Sequence, residues 1–218
     1  ALVAYLTRDE VRAVLAAPDP RSRAGTRDRA MLHLAFAGGL RVSELLGLRL
    51  DRVRCVDQPT VHVVGKGRRE RELPLWRETA ATINAWIAIR PPTSASVLFL
   101  NATGRPMTRS GFEYILAKYV AIAAATCPTL TQKRVTPHVL RHTCAMHILQ
   151  ATRDVRQVSL WLGHASLQST EVYLRADPTE KLATLAASES PPLVPGQFTA
   201  PDKLLAMLKD MSRPDYAE

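Results

Sequence analysis

The spacing of apolar residues in this 218-residue chain predicts helices over most of its length, with one β-rich interval. Thr7 and Glu10 stand three apart ahead of an apolar stripe, a capping box that opens a helix over 7–17. A second helix follows Thr26, carrying Ala30, Met31, Leu34 and Ala35 at helical spacing and stopping at Gly38-Gly39. Ser43-Glu44-Leu45-Leu46 begins a short third helix. From Arg52 to Leu75 the pattern changes to VRCVD, VHVV and ELPL, separated by DQP and GKGRR, which predicts a small antiparallel sheet of about three strands.

Helices resume over 76–90 and 108–126, with a short strand expected between them at Val97–Leu100. Thr136-Pro137 supplies an N-cap and a proline at the first helical position, so a helix runs from there to about Gln150. Another helix, from Arg153, ends at Leu162-Gly163, and a last one carries Thr170 to Arg175. The stretch SESPPLVPG, 188–196, reads as a linker. Beyond it, Thr199 and Asp202 stand in capping-box positions before an apolar stripe of Leu204, Leu205, Leu208 and Met211. An isolated helix of that length is marginal in water, so it needs a surface to dock on, in its own body or in a neighbour. The division expected is a body over 1–187 and a linker with tail helix over 188–218.

Composition narrows the partners. The chain has 29 Lys and Arg against 20 Asp and Glu, a net charge of +9, which favours polyanions through long-range attraction and counterion release. The excess is partly local: six Lys and Arg from Lys133 to Arg175 face only Asp154 and Glu171. The three cysteines, Cys55, Cys127 and Cys144, are scattered, which argues against a disulfide framework or a zinc ribbon and for a reducing compartment. No apolar run reaches the length of a membrane span, and the first residues carry no secretory pattern, so no membrane role is expected and the cytoplasm is the expected location.

The chemistry-bearing residues lie in a few short boxes: GGLRVSEL at 38–45, GKGRRER at 65–71, HVLRHT at 138–143, LGH at 162–164, and Tyr173 nine positions after His164. Attack on a phosphodiester develops charge on the non-bridging oxygens, and stabilising that charge is most of the catalysis. Arginine suits this because its planar fork makes two parallel hydrogen bonds and stays charged. Arg41 and Arg141 are two such forks that meet only through the fold, and His138, three residues before Arg141, shares its helical face at a helix N-terminus that favours phosphate.

In family order and near-family spacing, these boxes resemble the tyrosine recombinases, the lambda-type integrases, from about Leu6 to the C-terminus. The resemblance implies a DNA breaking-rejoining catalytic fold, α+β and mainly helical. It implies that Arg41 and Arg141 bind the scissile phosphate, that His138 assists proton transfer from the tyrosine, and that Lys66 protonates the leaving 5′ oxygen. His164 takes the position that hydrogen-bonds the phosphate and packs the site. Tyr173 becomes the nucleophile, forming a 3′-phosphotyrosine bond that a second 5′ hydroxyl reseals without metal, ATP or any other cofactor. Double-stranded DNA is the implied partner. A homotetramer on DNA that exchanges C-terminal helices is the implied assembly, at the nucleoid of a bacterium or on phage DNA. The box GGLR stands where the family commonly shows TGLR or TGMR. The helical DNA-clamping domain that usually precedes this unit is absent from the sequence, so either a fragment of a longer integrase, the favoured reading, or a minimal recombinase that needs a partner is expected.

Plainer readings compete at each position. An arginine on a helix is ordinarily a solvated charge, and a lysine between glycines is ordinarily turn chemistry. Arg68, Arg69 and Arg71 have the simpler role of touching backbone phosphates. His138 and His142 have i, i+4 spacing but no Glu in the zincin position, so His142 and His147 read as structural, and Glu44 as a partner for a basic group in the site. Among whole functions, a type IB topoisomerase-like relaxing enzyme, a non-catalytic DNA-binding relative and a metal-dependent nuclease are the alternatives. The last lacks a carboxylate cluster resembling a two-metal site.

Overall fold

A computed structural model describes residues 4–164 together with Thr170 and Tyr173, and for Lys66 the backbone only. Its elements are α1 (Arg8–Ala16), α2 (Arg23–Ala37), α3 (Val42–Leu46), β1 (Val53–Arg54), β2 (Thr60–Val64), β3 (Glu70–Pro74), α4 (Arg77–Ile89), α5 (Arg109–Ala123), α6 (Pro137–Thr152) and α7 (Val155–Leu162). The expected α+β, mainly helical class with one small sheet is what forms.

Thr7 caps α1 and Glu10 returns the bond to the Thr7 amide, completing the capping box. Glu10 does more than cap. Its buried carboxylate also accepts from Lys133 Nζ at 2.6 Å and Thr129 Oγ1 at 2.7 Å, pinning α1 to the segment before α6. The second helix begins earlier than its sequence spacing suggests. Ser22 is the cap, and Thr26 lies one turn inside with its hydroxyl bonded to the Pro20 and Ser22 carbonyls. A threonine can satisfy its hydroxyl on a preceding carbonyl as readily as it can cap, so the two roles look alike in sequence. At the other end Gly39, at φ +53°, turns the chain into α3.

The sheet has order β1-β2-β3, antiparallel throughout, with Val61 opposite Leu73 and Val63 opposite Arg71. Residues directly opposite share a face, so Val61, Val63, Arg71 and Leu73 all point to the protein interior. The turn from β2 to β3 holds Lys66–Arg68, with Gly67 at φ +73°. The expected strand at Val97–Leu100 does not form. Val97 and Leu100 make single bridges to Arg49 and Pro106, while Arg90 and Trp86 donate to carbonyls of this segment.

Thr136 caps α6 as expected, but the helix runs on to Thr152 and ends at Arg153, which is left-handed and so cannot open α7. Asp154 caps α7 instead, and Gly163, at φ +63°, closes it. The main core gathers Leu6, Val14, Met31, Leu34, Leu45, Ile83, Phe99 and Phe112 among others. A second cluster joins Ala145, Met146 and Leu149 of α6 with Val158 and Leu162 of α7, and Tyr173 is its largest side chain. The expected helix over 170–175 lies outside the described residues except for Thr170 and Tyr173, where the Tyr173 amide donates to the Thr170 carbonyl at 3.0 Å. The linker at 188–196 and the tail helix lie wholly outside them.

Candidate active site

Arg41 occupies the N-cap position of α3 with an extended backbone, and Glu44 is the third residue of that helix. Glu44 Oε2 accepts from the Arg41 amide and Oε1 from the Arg41 guanidinium, each at 2.9 Å. Arg71 reaches the same carboxylate from β3, donating to Oε2 at 2.9 Å and Oε1 at 3.2 Å. Arg141, from α6, comes within 3.8 Å of Oε2. One buried carboxylate therefore sits among three guanidinium groups. Burial alone pushes the Glu44 carboxyl up, but the hydrogen bonds from Arg71 and Arg41 outweigh it and leave it below the usual carboxylate range.

Arg141 is held in place by backbone, with its guanidinium donating to the Gly39 carbonyl and, at 2.9 Å, to that of Leu162. Burial first, and then Arg41, lower its pKa to about 10, so it remains charged at neutral pH. With three positive charges against one negative, the cluster retains an excess that suits an anion.

That excess borders a cavity of about 520 Å³ lined by Arg41, His138 and Arg141, with Thr136 and Pro137 at the start of α6. The first turn of a helix presents free amides and the positive end of its dipole, a second attraction for phosphate. His138 is exposed while Arg141 is buried, yet both reach this cavity, as their three-residue spacing requires.

Tyr173 lies beside this cluster rather than in the cavity wall. It is only 2% exposed, and its hydroxyl is 2.9 Å from His142 Nδ1. Burial raises the phenol pKa, and the nearby charges of Arg141 and Arg41 oppose the rise. The His164 ring stacks on Tyr173 at 6.3 Å between centroids, and its Nδ1 is 2.7 Å from Thr170 Oγ1. Burial and then Arg141, Arg41 and Arg71 drive the His164 pKa down to about 4, so it is neutral. Lys66 opens the β2–β3 turn, five residues before Arg71.

Two side chains do more than their sequence context suggests. His142, read as structural, bonds to the phenol. His147 holds a structural contact, with Nε2 3.0 Å from the Leu6 carbonyl. Arg71 is an interior residue, its side chain 11% exposed and its Nε donating to the Trp161 carbonyl at 3.0 Å, so it is not a surface arginine waiting for DNA. The signal for Arg71 is present in the sequence, since in ERELPL it alternates with Leu73 and Leu75 on the inward face. No comparable local signal marks His142.

Residues 4–180 match the phage integrase family. The chain belongs to that family. Among its relatives in the family, the protein named "Putative integrase/recombinase y4rC" of Sinorhizobium fredii is 41% identical over 210 residues, covering 96% of this chain and 63% of its own length. "Tyrosine recombinase XerD" of Vibrio cholerae is 36% identical over 192 residues, 85% of this chain and 61% of that protein. This integrase-family chain thus spans about three fifths of the length of the curated relatives it matches. Its fold is shared with the crystal structure of XerA recombinase, at TM-score 0.73 and 25% identity over 87% of this chain and 68% of that one. XerH site-specific recombinase bound to palindromic difH substrate, in a post-cleavage complex, has the same fold at TM-score 0.71 and 23% identity, covering 86% and 54% of the two chains. Among the described residues no helix is long and apolar enough to cross a membrane, and no group of three or more His, Cys, Asp or Glu is placed to hold a metal.

Proposed function

We propose that this chain is the catalytic part of a site-specific recombinase that cleaves and rejoins double-stranded DNA through a 3′-phosphotyrosine intermediate at Tyr173. The observation that carries the reading is the convergence of Arg41, Arg141 and His138 on one cavity at the N-terminus of α6, with the Tyr173 phenol under the charge of both arginines. In this reading the two guanidiniums bind the non-bridging oxygens of the scissile phosphate, and Glu44 with Arg71 fixes their approach. His138, in the first turn of α6, assists proton transfer from the tyrosine, Lys66 protonates the departing 5′ oxygen, and His164 braces the tyrosine ring. The phosphodiester energy is kept in the tyrosyl bond, so the return attack by a 5′ hydroxyl reseals the strand.

Strand exchange requires several active sites on paired duplexes, so the working form is a homotetramer on DNA. The apolar stripe at 204–211 is the segment proposed to pass between neighbours, and deleting residues 197–218 is expected to weaken synapsis while sparing single-site binding.

The test is a nicked suicide substrate, from which the cleaved 5′ fragment is lost and the adduct accumulates. The chain is expected to form a covalent adduct on its own site, and Tyr173→Phe to form none while binding DNA equally. Full adduct in the phenylalanine variant would move the nucleophile elsewhere, and supercoil relaxation without synapsis would favour a topoisomerase.

A further inference from the structure

The phenol of a tyrosine must lose its proton as the oxygen attacks phosphorus, and a general base has to stand within hydrogen-bonding reach of that proton. His142 Nδ1 meets that condition at 2.9 Å from Tyr173 Oη. The two rings meet edge to face at 5.5 Å between centroids, and His138 stacks on His142 at 6.0 Å with 21° between planes. With His164 stacked on Tyr173, four rings form a row in the order His164, Tyr173, His142, His138. The last of them lines the cavity proposed to hold phosphate.

We propose that His142 is a further catalytic residue, the base that directly receives the phenol proton of Tyr173, with His138, stacked against it, assisting from the cavity side. The proposal rests on the reading of Tyr173 as nucleophile. As the Oη–P bond forms, the O–H bond breaks and its proton passes to Nδ1, leaving an imidazolium. The P–O5′ bond breaks, and the departing oxygen takes a separate proton from Lys66. Resealing reverses both transfers.

Three further features suit this role. His142 is half-buried, and burial first, then His138 and Arg141, lower its pKa, so the ring is neutral and able to accept at neutral pH. The titratable and charged groups around it are His138 and Arg141 on its own helix and Tyr173 and His164 opposite. The phenol itself is nearly sealed from water, so bulk solvent does not compete for its proton.

The experiment uses the full chain and a suicide substrate with sulfur in place of the bridging 5′ oxygen. A thiolate leaves without protonation, so the remaining pH dependence reports the nucleophile. The expected single-turnover rate falls in acid, with its limb below the ordinary histidine value of about 6.5 because the His142 pKa is lowered. His142→Gln is expected to be about 10²-fold slower and to lose that acid limb, while His138→Gln retains it. His142→Ala is expected to regain rate in added imidazole, which a merely structural loss would not allow. An unchanged acid limb in His142→Gln, or no imidazole rescue, overturns the proposal. The pair is also read without DNA. The His142 imidazole, followed by ¹⁵N shifts, is expected to change tautomer balance in Tyr173→Phe, and identical shifts would overturn the pairing. Absence of any adduct from the unaltered chain would sink the recombinase reading itself, a result distinct from either of these.

Discussion

Glu44→Gln removes one charge and almost no volume, so it isolates what the carboxylate does for the three arginines. The Glu44 side chain is 2% exposed and that of Arg71 11%, against 37% for Arg41. Arg41 therefore keeps over a third of its solvent exposure and contributes about 1 kcal/mol or less through this pair. Arg71 has little water to return to. Two unit charges about 3 Å apart attract by about 5 kcal/mol at an effective dielectric of 20. Desolvation offsets part of this, but it is already spent on Arg71 when the partner is removed, so the expected loss is about 3–5 kcal/mol. A domain typically has about 5–15 kcal/mol in all. In urea the midpoint should drop by about 2 M for a slope near 2 kcal/mol per M. The pH dependence supplies the check on cause. A carboxyl whose folded pKa lies below its ordinary 4.5 stabilises fully above that value and loses the contribution as pH falls through the folded pKa. The gap between the two proteins should be widest near neutrality and narrow below about pH 4.5. A Glu44→Gln protein within 1 kcal/mol of the original at pH 7, or a gap that does not shrink in acid, would refute the account of Glu44 as the counter-charge.

Arg71→Lys replaces a fork by a point charge that cannot serve both Glu44 oxygens and the Trp161 carbonyl. It should cost about 1.5–3 kcal/mol in denaturation and, on the proposed reading, slow single-turnover cleavage. Gly39→Ala places a Cβ 2.6 Å from Leu162 Cδ2 and 3.1 Å from Cys144 Sγ at a left-handed φ, beside the carbonyl that holds Arg141. At least about 1–2 kcal/mol of stability should be lost, readable by thermal melting. The His164 ring, with its pKa near 4 against an ordinary 6.5, should stay neutral to about pH 5 in an NMR titration. Because the unfolded chain binds that proton first, the ring's contribution to stability is complete above pH 6.5 and lost on descent toward pH 4.

What could be read in advance follows the range of the forces involved. The start of α6 was legible because Thr136 and Pro137 act on amides within one turn. The three strands were legible because alternation is a local pattern, although the first shrank to Val53–Arg54, where pairing with β2 ends. Arg41, His138 and Arg141 could be nominated together because their boxes stand in family order, and the fold brings all three to one cavity. The contact of His142 with Tyr173 is not legible because its partner is 31 residues away and nothing in its neighbourhood distinguishes a histidine facing a phenol from one facing a core. Arg71 was misjudged for another reason. Among the arginines of GKGRRER its inward orientation depends on strand register, and charge alone suggests a surface residue.

The inward arginine of β3 has a mechanical consequence. Arg71 grips Glu44 and the end of α7 from a strand that begins immediately after the Lys66 turn. Whatever lifts that hairpin pulls on the clamp that orients Arg41 and on the residue next to Leu162, whose carbonyl anchors Arg141. On the reading proposed above, a hairpin that drifts away from bound DNA slackens the grip on phosphate as well as withdrawing the lysine. Under the same reading, breaking a strand and releasing its 5′ end become a single all-or-nothing commitment, which guards against stray nicks.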